Sequence, residues 1–186
     1  PVSSGDLEVS LGYIGVDPAD ADRDIPLDQL QATAGDSQSG EGPDKAVDGN
    51  GNSHWHTNWA GLNSQNHWFQ FEVVGDYEVD GLRYQPRQAG GKNGVITAYE
   101  VQISSDGKTF ETIASGEWAA DTNWKLVTFD AVQTKYVRLV SKDAVSGETG
   151  KAFASAAEIR LTGTEAEAEV CQHTETTVVG KVDATC

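Results

Sequence analysis

The stretch "HWFQFEV", His67 to Val73, decides the fold class. Phe69, Phe71 and Val73 fall on one face, and Gln70 and Glu72 on the other. That period of two is expected of a strand with one buried face and one wet face.

Outward from it, the pattern repeats. After the turn signal Gly75-Asp76 comes "YEVDGLRYQP", and then "TAYEVQISS", which puts Tyr99, Val101 and Ile103 on one side. "SSDGKTF" supplies the Asp106-Gly107 pair that favours a hairpin turn. "KLVTFD", "KYVRLVS" and "ASAAEIRLTG" complete a series of short strands at roughly the 8–12-residue spacing of a sandwich or barrel. Helical periodicity is absent apart from the turn-like "GPDKAVDG". The fold class is all-β.

The flanks read differently. Residues 1–24, with "DPADADRD", are a linker or the edge of a preceding domain; residues 25–164 are the β-domain. Residues 165–186 are an acidic linker followed by what resembles one cut unit of a Cys- and Thr-rich cell-surface repeat. Cys171 and Cys186 both lie in this tail, so cysteine does not staple the core; a disulfide between them and two free thiols both stay open. The chain of 186 residues has no methionine and starts "PVSSGDLEVS", which reads as a cut from something longer and secreted.

A net charge of −16, from 29 acidic and 13 basic residues, argues against a nucleic-acid partner, whose phosphates draw on Lys and Arg. It argues equally against docking on an anionic bilayer. No apolar run approaches the about 18 residues that would cross a membrane.

The chemistry concentrates in "KAVDGNGNSHWHTNW", Lys45 to Trp59. "DGNGNS" starts like an EF-hand loop, but that loop needs Gly at its sixth position and an acid at its twelfth, where this chain has Ser53 and Trp59. Zinc through His54 and His56 lacks an evident third ligand. Calcium in an irregular loop suits Asp, Asn, Ser and backbone carbonyls, but a solvated turn uses the same residues. No nucleophile elbow, zinc-protease helix or phosphate loop is present, and no spacing selects a carboxylate pair for glycoside hydrolysis.

Taken in order, "GPDKAVDGNGNSHWHTNW", "HWFQFEV", "LRYQPRQAGGKNG", "YEVQISSDGKTF", "KYVRLVS" and "ASAAEIRL" resemble the discoidin, or coagulation-factor 5/8 type C, fold. The likeness is to the bacterial family 32 carbohydrate-binding modules in particular, and it runs from about Asp28 to Gly163. The resemblance implies an eight-stranded antiparallel β-sandwich of jelly-roll type with ligand loops at one end and a structural calcium close by. Carried over, the calcium ligands are the Lys45 carbonyl, Asp48, Asn50, the carbonyl and hydroxyl of Ser53, the Ala157 carbonyl and the Glu158 carboxylate. Serine at position 53 replaces the family's commoner threonine and keeps its oxygen.

The sugar site carries over as His56, Arg87, Asn93 and Phe153. His56 and Arg87 would reach an axial hydroxyl, Asn93 would donate and accept, and Phe153 would stack on the apolar sugar face. Trp59 would extend the platform into a second subsite. Trp55 and Trp68 are expected in the core, and Trp118 and Trp124 across the sandwich or at its edge.

The expected function is non-catalytic binding of glycans ending in galactose, N-acetylgalactosamine or N-acetyllactosamine, by a monomer tethered in a multimodular carbohydrate-active enzyme, secreted or on a bacterial surface. The alternatives are a discoidin-type adhesion domain for protein or phospholipid, or a part of a glycan-processing enzyme. Lipid binders usually use apolar spikes with basic residues, against which the acidic balance speaks.

Overall fold

A computed structural model describes residues 22–58, 67–146 and 153–167 of the chain. Its strands are β1 (Leu30–Ala34), β2 (Trp55–His56), β3 (Trp68–Val73), β4 (Tyr77–Gln85), β5 (Ile96–Ser104), β6 (Glu111–Glu117), β7 (Lys125–Gln133), β8 (Tyr136–Ala144), β9 (Ser155–Ala156) and β10 (Glu158–Glu165). A five-stranded sheet runs β1-β3-β8-β5-β6 and a three-stranded sheet runs β10-β4-β7. Every pairing is antiparallel. This is the eight-stranded β-sandwich, with the short β2-β9 ladder added at one end.

The alternation in β3 explains the packing. Phe69, Phe71 and Val73 are buried, while Trp68, Gln70 and Glu72 are only half so. They meet Val137 and Leu139 of β8 and Val101 of β5, and across the sandwich Val79, Leu82 and Tyr84 of β4 with Ile159 and Leu161 of β10. Trp55 closes the end of this core where β2 and β9 pair. It is wholly buried, its ring lies edge-on 5.4 Å from that of Phe69, and its Nε1 donates to the Asp36 carbonyl at 3.0 Å.

Two tryptophans depart from expectation or resolve it. Trp68 lies on the outer sheet face, where the guanidinium carbon of Arg138 sits 4.2 Å from its ring centroid and 3.6 Å from that of Phe110. Trp118 packs inward and stacks on Tyr99 at 3.9 Å and on Tyr84 at 5.1 Å.

The Asp106-Gly107 turn forms, but it spans the longer connection between β5 and β6. The Asp106 carboxylate accepts from the N–H groups of Lys108 and Thr109, each at 2.8 Å.

The β framework reaches back to Asp24, which bridges to Thr162, while the Ile25 N–H donates to the Leu161 carbonyl at 2.8 Å. Arg83, only 6% exposed, donates through Nη1 to both oxygens of the Asp24 carboxylate at 2.8 and 2.7 Å. Its guanidinium also lies 4.7 Å over the ring of Trp124.

Candidate functional site

The β4 strand delivers the chain to the end where β2 and β9 pair, and most of the candidate residues gather there. His56 is fixed from both sides. Its carbonyl accepts from the Gln38 N–H at 2.8 Å and its N–H donates to the Glu41 carbonyl at 3.2 Å. On the other side Trp55 and His56 pair with Ala156 and Ser155. The Thr57 N–H then donates to the Ala154 carbonyl, and the Ala154 N–H to the Thr57 hydroxyl, each at 2.9 Å.

The imidazole of His56 is 1% exposed. Its Nδ1 lies 2.7 Å from the Thr57 carbonyl, and its Nε2 is buried with no hydrogen-bond partner. A carbonyl only accepts, so Nδ1 carries the proton and the neutral ring presents Nε2 as an acceptor. Burial holds the His56 pKa below the ordinary histidine value. The Arg87 charge adds to this, while the Thr57 hydrogen bond and the charges of Glu41 and Asp36 oppose it.

Phe153 packs against this ring, with centroids 5.4 Å apart, and is 5% exposed. It lies just ahead of β9, against the core, and not on an open platform. The same end holds His54, whose ring is 6.3 Å from that of His56 and whose Nε2 is 3.6 Å from Glu41 Oε1. His54 Nε2 and Glu41 Oε2 are also buried without hydrogen-bond partners. Glu41 carries no motif in "SQSGEGPDK", and only the fold, through the Gln38–Glu41 bridge, places it beside the histidines.

Arg87 and Asn93 come from the loop between β4 and β5. Arg87 folds back on that loop, donating through Nε to the Ala89 carbonyl at 2.9 Å, with Nη1 3.5 Å from the Asn93 carbonyl. Burial first, and the Arg87 charge after it, lower the pKa of both His54 and His56. The Asn93 carbonyl also accepts from the Ser155 hydroxyl at 3.0 Å. Gly94 lets the loop come this close: its φ is +81°, and a Cβ there would stand 2.8 Å from Ser155 Oγ. From outside, Gln88 Nε2 donates to the Thr122 carbonyl at 2.9 Å and Lys92 Nζ to the Ala120 carbonyl at 2.7 Å, bracing the loop on the β6–β7 connection. Trp59 lies outside the described residues.

The oxygen-rich loop forms a separate cradle. Ser53 Oγ lies 2.7 and 3.0 Å from the two Asp48 carboxylate oxygens and 2.8 Å from the Asn50 carbonyl, so several acceptors share one hydroxyl proton. The Asn50 N–H donates to Asp48 Oδ1 at 2.9 Å, and the Asn52 N–H to Asn50 Oδ1 at 3.1 Å. Glu158, 3% exposed at the start of β10, has neither carboxylate oxygen in a well-aligned hydrogen bond. Burial raises its pKa, and the nearby Asp48 charge adds to that while Arg160 works against it. For Asp48, burial raises the pKa but is outweighed by hydrogen bonds from Ser53 and Asn50, and the net shift is downward.

Lys45 lies in the 3-10 turn Pro43–Ala46, and Ala157 directly precedes Glu158 and donates its N–H to the Gln85 carbonyl at 2.8 Å. A crowd of oxygens short of protons, with a buried carboxylate, ion-paired to Arg160, beside it, fits a hard divalent cation. Among the described residues no group of three or more His, Cys, Asp or Glu is placed to hold a metal. A cradle of two carboxylates completed by an amide, a hydroxyl and carbonyls is of a different kind.

Residues 31–159 match the F5/8 type C domain family. A galactose oxidase of Gibberella zeae is 38% identical over 141 residues, 74% of this chain; the chain spans only 20% of the length of that curated relative. Among solved structures, CpGH89CBM32-5 from Clostridium perfringens, in complex with GalNAc-beta-1,3-galactose, is 32% identical, with a TM-score of 0.67 over 75% of this chain and 99% of that one. The family 32 module of C. perfringens NanJ, in complex with galactose, is 28% identical, with a TM-score of 0.65 over 75% of this chain and 97% of that one.

Proposed function

The chain belongs to the F5/8 type C domain family, and from that premise we propose that it is a carbohydrate-binding module for glycans ending in galactose, N-acetylgalactosamine or N-acetyllactosamine. The observation that carries the reading is the buried imidazole of His56, with Nε2 unpartnered and the Phe153 ring tilted against it at 5.4 Å. A sugar hydroxyl donates to Nε2 and accepts from Arg87; Asn93 adds a donor and an acceptor; Phe153 backs the imidazole and holds its orientation. Support comes from two similar modules solved with galactose or GalNAc-beta-1,3-galactose.

The oxygen cradle takes a structural calcium held by Asp48, Asn50, Ser53 and Glu158 with the carbonyls of Lys45 and Ala157. Calcium there neutralises the two carboxylates and ties the loop that leads into β2 to the start of β10. The module acts as a targeting device, secreted or displayed on a surface and tethered to a carbohydrate-active enzyme. A single shallow sugar contact binds at millimolar to high-micromolar strength, roughly −4 to −6 kcal/mol, and neighbouring modules raise the avidity. For the lipid-binding alternative the geometry offers no support. Among the described residues the exposed large hydrophobics are Leu27 and Val74, at the opposite end of the sandwich.

Calorimetric titration with galactosides tests the reading. Saturable binding that is lost in Arg87→Ala and in His56→Ala supports it. Normal binding by the double variant would sink the site.

A further inference from the structure

Arg160 follows Glu158 by two positions on β10, so the two side chains share a face of the strand. Its Nη1 lies 2.5 Å from Glu158 Oε2 and donates to the Ile159 carbonyl at 2.9 Å. The same nitrogen is 3.5 Å from the carbonyl of Ala46, which ends the 3-10 turn that carries Lys45. Arg160 thus spans the gap between the first loop and the last strand, across which the calcium of the proposed function would act.

The geometry points to Arg160 as a resident cation of the cradle, which ties Glu158 to the turn that ends at Ala46 when no divalent ion is bound and opposes the ion when one enters. The inference rests on the calcium reading above and goes beyond it by making occupancy conditional. A built-in positive charge beside a dication weakens its binding by Coulomb repulsion. It also gives the buried Glu158 carboxylate a counter-charge while the cradle is empty. The module then keeps its loop in place at low calcium, at the expense of affinity for the metal.

Calcium affinity by calorimetry and thermal midpoints in chelator and in millimolar calcium, for the wild-type chain, Arg160→Gln and Arg160→Lys, test this. Arg160→Gln is expected to bind calcium about tenfold more tightly, and to melt below wild type in chelator. Arg160→Lys keeps the charge and returns the affinity to near the wild-type value, which separates repulsion from damage to the fold. Calcium binding by wild type together with unchanged or weaker binding by Arg160→Gln overturns the role of Arg160 and leaves the calcium reading standing. Binding by Arg160→Gln alone supports the role in its strongest form. No calcium binding by any of the three chains overturns both.

Discussion

The His56 ring donates through Nδ1 to the carbonyl of Thr57, the next residue in the chain, at 2.7 Å. In the proposed sugar site, that bond sets the polarity of the ligand group. Nε2 only accepts in the neutral ring, and the Arg87 guanidinium only donates. A group between them must therefore donate one hydrogen bond and accept another, and a hydroxyl does both. A galactoside methylated at its axial hydroxyl keeps the acceptor and loses the proton, leaving Nε2 buried and unpaired. An unpaired buried group costs about 1–3 kcal/mol, so calorimetry is expected to show affinity falling by about five- to 150-fold. Equal affinity for the parent and methylated sugars would contradict the assignment.

The same ring sets the pH dependence. Burial first, and the Arg87 charge with it, hold the His56 pKa below the ordinary value of about 6.5. The neutral ring is the binding form, because protonation turns Nε2 into a donor. Affinity should therefore be level from pH 8 down through about 6.5, and fall only at more acid pH. Folding stability follows the same sign for His56: its contribution is full above the unfolded pKa and declines as pH drops towards the lowered folded pKa, since the unfolded chain binds the proton more readily. Calorimetric titrations across that range check this; a loss of affinity that begins above pH 7 would contradict it.

Much of the fold is legible in the sequence because sheets with one buried face write their burial in alternate residues, as Phe69, Phe71 and Val73 do. The same alternation puts Trp68 with Gln70 and Glu72 on the outer face, against the core place expected of a tryptophan, and Arg138, the register partner of Gln70, covers its ring there. β2 and β9 are two residues each, too short to show any period, although they place His56 and Ser155. His56, Arg87, Asn93 and Phe153 stand out through the resemblance and not through local chemistry, and the burial of His56 and Phe153 is visible only in the packed structure. Glu41 has no local signal at all. Its place follows from a turn at Gly40 with φ of +83° that folds residues 38 and 41 onto the His56 backbone.

Gly94→Ala should weaken sugar binding and stability together. The backbone there is left-handed, and the new Cβ would stand 2.8 Å from Ser155 Oγ and 3.0 Å from the Ala154 carbonyl carbon. The loop must then lift from β9, which carries Asn93 away from His56. A strained residue of this kind costs about 1–3 kcal/mol. Chemical denaturation measures the stability term and calorimetry the affinity; retention of wild-type values in both would show that the loop need not lie this close.

Trp55 joins the site to the core. Trp55→Ala leaves a cavity against Phe69 and frees the Asp36 carbonyl, so a loss of about 3–5 kcal/mol is expected in urea unfolding. Trp55→Phe keeps most of the volume and loses the Nε1 hydrogen bond, and should lose less. If the two variants unfold alike, the packing role assigned to the indole is wrong.

The start of the domain gives the last prediction. Asp24 accepts two hydrogen bonds from Arg83 Nη1, and Arg83 is 6% exposed within the three-stranded sheet. Asp24→Ala removes the carboxylate and strands a buried guanidinium, which costs about 3–5 kcal/mol when nothing replaces the partner. Asp24 is part-exposed, its side chain 23% accessible, so water recovers some of that and the loss should fall at the lower end. Arg83→Met removes the buried charge together with its need for a partner, and in an Asp24→Ala background it should restore part of the stability. Equilibrium unfolding of the two single variants and the double variant completes the cycle. Strictly additive losses would mean that Asp24 and Arg83 act independently, and that the Ile25 backbone and side chain hold this segment to the sandwich without that pair.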